Sequence, residues 1–561
     1  MRRLLLNIRF VVLCAALGSS CRSSAQTPHA KPDYPAVTRD LGLYISQKLA
    51  ENKVSGASVA IVDGQKTVWT EGFGYANAAH SKKVTADTLF SLQSISKTYT
   101  AVLLLEAVDR GWFKLDDPLV KYLPNFRVNS RYSETDFQKI TLRHLLSHWS
   151  GLPHEAPVGN NYDDGNATFE EHIESINRVW LLAPIQSRYA YSNLGFDLLA
   201  YLLQTRSKTP YAKYADAHLF RRLGMSNTTF DKQLALASPT FARGQVNGHD
   251  VDVFIPMLGA GGLYSTAADM AKFVAVELAD TNIKSGRLLK KKTLTEMFTP
   301  QFPVDHQSAG YGLGVFKRRA FGTVMYSHGG GGYGYDTDQR WFPEFGLGVV
   351  VLTNDGDGSD IAQTIADHIS ETCIKAKGGP ASDAPRSLSE RPIQKASPVD
   401  LAKFEGSYRA YSGMRFFKVV DGALHYRVGN NDQPLEFRGD GEFTSVNERF
   451  RFHLDSVGTV VEADDLGTVG VDTFVLNHRP DELPGPDKPE WKQYLGNYAG
   501  SAYGEKVPLR IYVENGYLYA SRAGGTKLIE YRPGLIFTVW GESVEFLGNR
   551  VWYGNRNFAR D

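Results

Sequence analysis

With 561 residues, 42% of them apolar, the chain can bury about two to four domain-sized cores and is not a disordered protein. Its 62 Lys and Arg against 61 Asp and Glu leave a net charge of +1, which supplies no electrostatic footprint for nucleic acid and no polybasic patch for a membrane. The three cysteines, Cys14, Cys21 and Cys373, are too few for a disulfide framework or a cysteine metal cluster.

Residues 1–25 carry Arg2, Arg3 and Arg9, an apolar run over 10–17 and then small residues, the pattern of an export signal, so a periplasmic or secreted protein is expected. The run is far short of the ~20 apolar residues of a spanning helix. Ser23-Ser24-Ala25 suits cleavage by a signal peptidase. Gly18-Ser19-Ser20-Cys21 is an imperfect lipoprotein box, with Gly where Leu is usual, that would give an outer-membrane lipid anchor on Cys21. Loss of residues 1–25 removes four arginines and leaves 58 basic side chains against 61 acidic ones, a net of −3.

Residues 34–376 alternate helical and strand patterns. A helix is expected over 41–51, then a hairpin from 57–62 and 66–70 around the turn Asp63-Gly64. Apolar helical runs follow over 100–108 and 196–203, a buried strand over 348–352 and a closing helix over 360–375, in which Cys373 reads as a small core residue. Hairpins beside helices predict an α/β (α+β) domain with a mainly antiparallel sheet.

Residues 377–398, rich in Pro, Gly and scattered charge, read as a linker. Beyond it lie two similar units, 399–480 and 490–561, separated by the proline-rich join 480–489. Phe404-Glu405-Gly406-Ser407-Tyr408 is echoed by Tyr494-Leu495-Gly496-Asn497-Tyr498, and Asp421-Gly422-Ala423-Leu424 by Asn515-Gly516-Tyr517-Leu518. Short alternating runs between Gly and Asp/Asn turns predict small antiparallel barrels. No nucleophile motif follows Ala376, so the barrels are expected to shape substrate access or a homo-oligomer rather than chemistry.

Three motifs carry chemistry. Ser94 stands at the start of a helix with Lys97 three residues on, which puts both side chains on one face. A neutral, desolvated lysine there can take the hydroxyl proton, and the helix N-terminus favours the negative charge that develops. Taken alone, Ser-x-x-Lys describes a helix cap and a solvated lysine equally well. Next in order is Tyr191-Ser192-Asn193, where a tyrosine hydroxyl can shuttle a proton and an asparagine can hold a substrate amide; a capping turn with a core tyrosine is the plain alternative. The third is Tyr326-Ser327-His328-Gly329-Gly330-Gly331-Gly332, whose glycines let a substrate lie along a strand edge and let a backbone N–H join that of Ser94 in an oxyanion hole. As a phosphate cradle it lacks the Gly-Lys-Ser/Thr ending.

In this order the motifs resemble the Ser-x-x-Lys, Tyr-x-Asn and Lys/His-x-Gly elements of the serine beta-lactamase and penicillin-binding-protein superfamily, in its class C-like branch of peptidases and esterases. Leu115-Asp116-Asp117-Pro118, residues 142–148, Ser150-Gly151-Leu152-Pro153 and Gly261-Gly262-Leu263-Tyr264-Ser265 add to the likeness. It implies a beta-lactamase/transpeptidase-like fold, an acyl-enzyme on Ser94, and proton handling by Lys97 and Tyr191. Asn193, His328 and Gly330 would hold a peptide, amide or ester substrate, and the N–H groups of Ser94 and Gly331 the oxyanion, with neither metal nor organic cofactor. His328-Gly329-Gly330 stands where beta-lactamases carry Lys-Thr-Gly, and this variant resembles that of D-aminopeptidases. A histidine largely neutral at pH 7 predicts weak recognition of a substrate carboxylate. Trp149 stands where the turn usually has Thr, and His144 and His148, outside the motifs, read as structural. The C-terminal units resemble lipocalin-like barrels. A dedicated beta-lactamase, a slowly deacylating penicillin-binding sensor, and barrels that bind lipid or glycan remain as alternatives.

Overall fold

The computed structural model describes residues 30–160, 167–251, 256–284, 286–302, 309–355, 360–380, 391–410, 413–428, 431–445, 448–466, 472–486, 488–502, 505–521 and 525–561. The expected export signal, with Cys14 and Cys21, lies outside them, as do residues 381–390 of the expected linker.

A seven-stranded antiparallel sheet organises the first region. Its strands are β1 (Gly56–Asp63), β2 (Lys66–Gly74), β3 (Gly310–Tyr311), β4 (Phe316–Ala320), β5 (Thr323–Gly332), β6 (Tyr335–Phe342) and β7 (Leu347–Thr353), in the spatial order β2-β1-β7-β6-β5-β4-β3. The adjacent strands β1 and β7 are apolar at consecutive positions because both faces are covered. Val59, Ile61, Val349 and Val351 pack on one face, beneath helices α1 (Tyr34–Glu51) and α8 (Ile361–Ala376). Ala60, Val62, Val350 and Leu352 join the larger core on the other face. That core holds α2 (Ser96–Asp109), α3 (Leu142–Ser147), α4 (Phe169–Ser175), α5 (Asn193–Ser207), the single turn α6 (Leu258–Gly261) and α7 (Ala267–Leu278). Cys373 lies on the buried face of α8, where the apolar surroundings push its thiol up to about 12.

The chain then forms two closed antiparallel barrels of eight strands each. The first closes by pairing Ser407 with His478, the second by pairing Tyr498 with Arg560. Aromatic side chains fill them, among them Phe417, Phe443, Phe450 and Phe452 in the first and Tyr498, Tyr553 and Phe558 in the second. The repeated pentapeptide builds the same corner twice. Gly406 and Gly496 adopt φ of 148° and 150°, a region open to glycine. Two residues on, Tyr408 donates to the Phe404 carbonyl at 3.0 Å and Tyr498 to the Tyr494 carbonyl at 2.9 Å.

Candidate active site

A 3-10 turn, Gln93–Ile95, leads directly into α2 and leaves Ser94 half-exposed at the helix N-terminus. The residue before it, Gln93, has φ of +50°, a left-handed conformation that costs an L-residue about 1–2 kcal/mol. Local bonds hold that turn in place. Gln93 Nε2 donates to Ser91 Oγ at 2.8 Å, and Ser96 Oγ donates to the Gln93 carbonyl at 2.6 Å while accepting the Leu263 N–H at 3.0 Å.

Lys97 follows one turn later and is completely buried. Its Nζ lies 3.0 Å from Ser94 Oγ and 2.9 Å from the Ala260 carbonyl oxygen. Desolvation lowers its pKa to about 7, against the pull of the Asp197 and Glu155 carboxylates. The nearby Tyr191 ring centroid is 4.8 Å from the amine, and the Tyr191 hydroxyl is hydrogen-bonded to Ser94. Burial pushes the Tyr191 phenol above its ordinary range.

Tyr191 and Asn193 are held by the segment that follows α3. At its C-cap His148 turns the chain with φ of +64°. His148 Nδ1 accepts the Ser192 N–H at 3.0 Å, and its ring packs on Tyr191 with centroids 4.3 Å apart. Burial, with Lys97, His328 and His154 nearby, keeps this imidazole neutral. Further along, the Pro153 carbonyl accepts from Ser192 Oγ at 2.7 Å and the His154 carbonyl from the Asn193 N–H at 3.0 Å. Glu155 Oε1 accepts from Asn193 Nδ2 at 3.0 Å, so the Asn193 amide is already engaged by protein. His148 and Glu155 are the site neighbours that sequence reading missed. His144 is structural as expected, exchanging capping bonds with Thr141 at 3.2 Å each way, and Trp149 is a core residue packed on Phe302 with rings 5.4 Å apart.

Strand β5 forms the opposite wall. Between β5 and β6, Gly330 pairs with Thr337, whose Oγ1 lies 3.1 Å from the Leu92 carbonyl oxygen. A Cβ on Gly330 would stand 2.1 Å from that oxygen and 3.0 Å from the Ser94 nitrogen, so glycine is what lets the strand reach Ser94. Gly331 is exposed and faces open space. Pairing with β4 stops at Ser327, which leaves the outer edge of 328–332 without a strand partner among the described residues. His328 is 1% exposed and turned inward. Its Nδ1 donates to the Gly329 carbonyl at 2.7 Å and its Nε2 accepts from the Tyr311 hydroxyl at 3.0 Å. Desolvation, aided by Lys97, drops its pKa to about 3.

Ser94, Lys97 and Tyr191 thus share one hydrogen-bonded cluster with Gly330 beside it, whereas Asn193 and His328 already have protein partners. A beta-lactamase family model matches residues 43–373. Beta-lactamase-like protein 4 of Dictyostelium discoideum is 28% identical over 334 residues, 55% of this chain and 58% of its own length. The chain therefore spans little more than half of that relative. The D-alanyl-D-alanine-carboxypeptidase/endopeptidase AmpH of Escherichia coli K12 is 27% identical over 355 residues, 61% of this chain and 89% of its own. Among solved structures, the octameric penicillin-binding protein homologue from Pyrococcus abyssi has a TM-score of 0.52 at 21% identity, covering 86% of this chain and 98% of its own, and so shares the fold. The chain belongs to the beta-lactamase family.

Proposed function

We propose that the protein is an exported peptidase, amidase or esterase that forms an acyl-enzyme on Ser94, with Lys97 as the base. The observation that carries this is the buried Lys97 amine 3.0 Å from Ser94 Oγ. With a pKa near 7 about half of the amine is neutral at pH 7, whereas the Tyr191 phenol is pushed the other way and holds its proton. Lys97 therefore accepts the Ser94 proton as Oγ attacks the substrate carbonyl carbon. Charge collects on the carbonyl oxygen, where the N–H groups of Ser94 and Gly331 stabilise it by about 3 kcal/mol each. Tyr191 passes a proton from Lys97 to the leaving group as its bond to the carbonyl breaks. Water then hydrolyses the ester and restores Ser94.

An extended substrate fits the open edge of 328–332 by backbone pairing. His328 is neutral and has both ring nitrogens occupied, so it offers no fixed charge to a substrate carboxylate. This favours small esters and aminoacyl amides, D-residues included, over beta-lactams. AmpH is named for D-alanyl-D-alanine substrates, which agrees with a peptide acyl donor. The octameric relative makes a homo-oligomer a reasonable state for this chain too.

A panel of p-nitrophenyl esters, D- and L-aminoacyl anilides and a chromogenic cephalosporin tests the reading. Turnover of esters or aminoacyl amides exceeding that of the cephalosporin is expected at pH 7. Cephalosporin turnover above both would make beta-lactamase the better description, and a burst without turnover would make the protein a slowly deacylating sensor.

A further inference from the structure

Two buried charges that the acyl-transfer steps leave unused lie one layer behind Lys97. His172, on α4, and Asp197, in the first turns of α5, are both fully buried, with His172 Nε2 3.2 Å from Asp197 Oδ2. The other ring nitrogen, Nδ1, lies 2.8 Å from the Val158 carbonyl oxygen. A carbonyl and a carboxylate oxygen can only accept. With Asp197 ionised, both ring nitrogens carry protons, which makes the ring an imidazolium opposite a carboxylate. Burial favours the neutral ring, but the Asp197 carboxylate overrides it and holds the pKa above the ordinary histidine value. The second Asp197 oxygen, Oδ1, accepts the Ala260 N–H at 3.0 Å, and the Ala260 carbonyl is the one 2.9 Å from Lys97 Nζ. A continuous chain therefore runs from Val158 through His172, Asp197 and Ala260 to Lys97 and Ser94.

The groups facing Lys97 explain why this matters. Glu155, from the segment after α3, and Asp197, from α5, both favour its cation. The rings of His148 and His328 are neutral, and Tyr191 retains its proton. Glu155 also faces His172. Each carboxylate has a nearby imidazole: His154 Nδ1 lies 2.8 Å from Glu155 Oε1, and His172 serves Asp197. An uncompensated carboxylate in so dry a site would hold Lys97 as its ammonium, which cannot take a proton.

We propose that His172 and Asp197 form a positioning ion pair for Lys97, in which Asp197 fixes the Ala260 carbonyl that aims the amine and His172 cancels the carboxylate so that the amine stays available as a base. The inference rests on Lys97 being the base.

The test is the pH dependence of covalent labelling of the full-length chain by a fluorophosphonate. Its rate should fall below a midpoint near 7 set by Lys97. His172→Gln should raise that midpoint by about one pH unit, slowing labelling at pH 6 about tenfold. The same change on an Asp197→Asn background should leave the midpoint where Asp197→Asn alone puts it, since the carboxylate paired with His172 is gone. A midpoint unmoved by His172→Gln, or moved equally on both backgrounds, overturns the ion pair as a positioning device. If His172→Gln does not fold, nitrogen-15 NMR of histidine-labelled wild-type protein decides: His172 should keep both N–H protons at pH 7.5, and a neutral tautomer there overturns the proposal. A wild-type rate with no limb near pH 7 would instead remove the Lys97 reading itself.

Discussion

The behaviour of Lys97 follows from its burial, and it has a cost in stability. The folded pKa of about 7 lies well below the ordinary lysine value of 10.5, so between these pH values the unfolded chain binds more protons than the folded one. Wild-type stability should rise with pH across that window. Lys97→Met, which cannot titrate, should abolish hydrolysis and raise the melting temperature. Its advantage is greatest at and below pH 7 and shrinks by about 1.4 kcal/mol per pH unit above it. Thermal melts of both proteins at pH 6 and pH 9 check this; an equal shift at the two values would mean that the buried amine carries no protonation penalty. At this scale the sequence is informative where chemistry is local. Ser94 and Lys97 are one helical turn apart, and Tyr191 and Asn193 lie two residues apart at the start of α5, so spacing alone groups them. His148, Glu155 and His172 were not legible as site residues, because they reach the cluster only through packing between segments far apart in the chain.

The elements show why one glycine motif contains positions of different kinds. Gly330 crosses the Leu92 carbonyl too closely for any side chain, while Gly331 opens onto free space. Gly330→Ala should push β5 off the nucleophile turn, destabilising the fold by about 2 kcal/mol and cutting hydrolysis at least a hundredfold. Gly331→Ala should fold normally, and its added methyl should act on KM more than on stability. Comparable melting temperatures for the two variants would contradict this distinction. Run lengths and periodicity made most elements legible. The helix expected over 41–51 in fact begins at Tyr34, because Asp33 caps it by accepting the Ala36 N–H at 3.3 Å and Pro35 fits its first turn. The apolar run of β7 was readable because both of its faces are covered, whereas the two-residue β3 is too short for a periodic pattern and the partly exposed β4 has no apolar run.

At the scale of the whole molecule, the absence of a nucleophile motif after Ala376 points to barrels that serve access or assembly, but the second barrel also touches the segment that holds Asn193. Asn555, at a hairpin turn of that barrel, donates to the Glu155 carbonyl at 2.7 Å and accepts from Asn160 Nδ2 at 3.1 Å. On the other flank Arg188, three residues before Tyr191, donates to the Trp540 carbonyl and lies 3.7 Å from Glu462 of the first barrel. Trp180 meets Phe537 edge-on at 5.7 Å. Asn160 reaches the Asn555 backbone carbonyl, which alanine keeps, so Asn555→Ala removes one side-chain hydrogen bond, of about 1 kcal/mol, to the segment that holds Asn193. It should lower kcat/KM by up to about fivefold while each barrel keeps its fold; an unchanged kcat/KM would return the barrels to access and assembly alone. The repeat made two barrels legible, but not their docking, since the docking residues are single side chains in turns without a pattern.

The central claim is that Ser94 is the nucleophile, and the most direct measurement is to label the full-length protein with a fluorophosphonate at pH 8 and locate the adduct by peptide mass spectrometry. One adduct per chain, on Ser94, is expected, with none on the folded Ser94→Ala protein. An adduct on another residue, or labelling that persists in Ser94→Ala, would contradict the account.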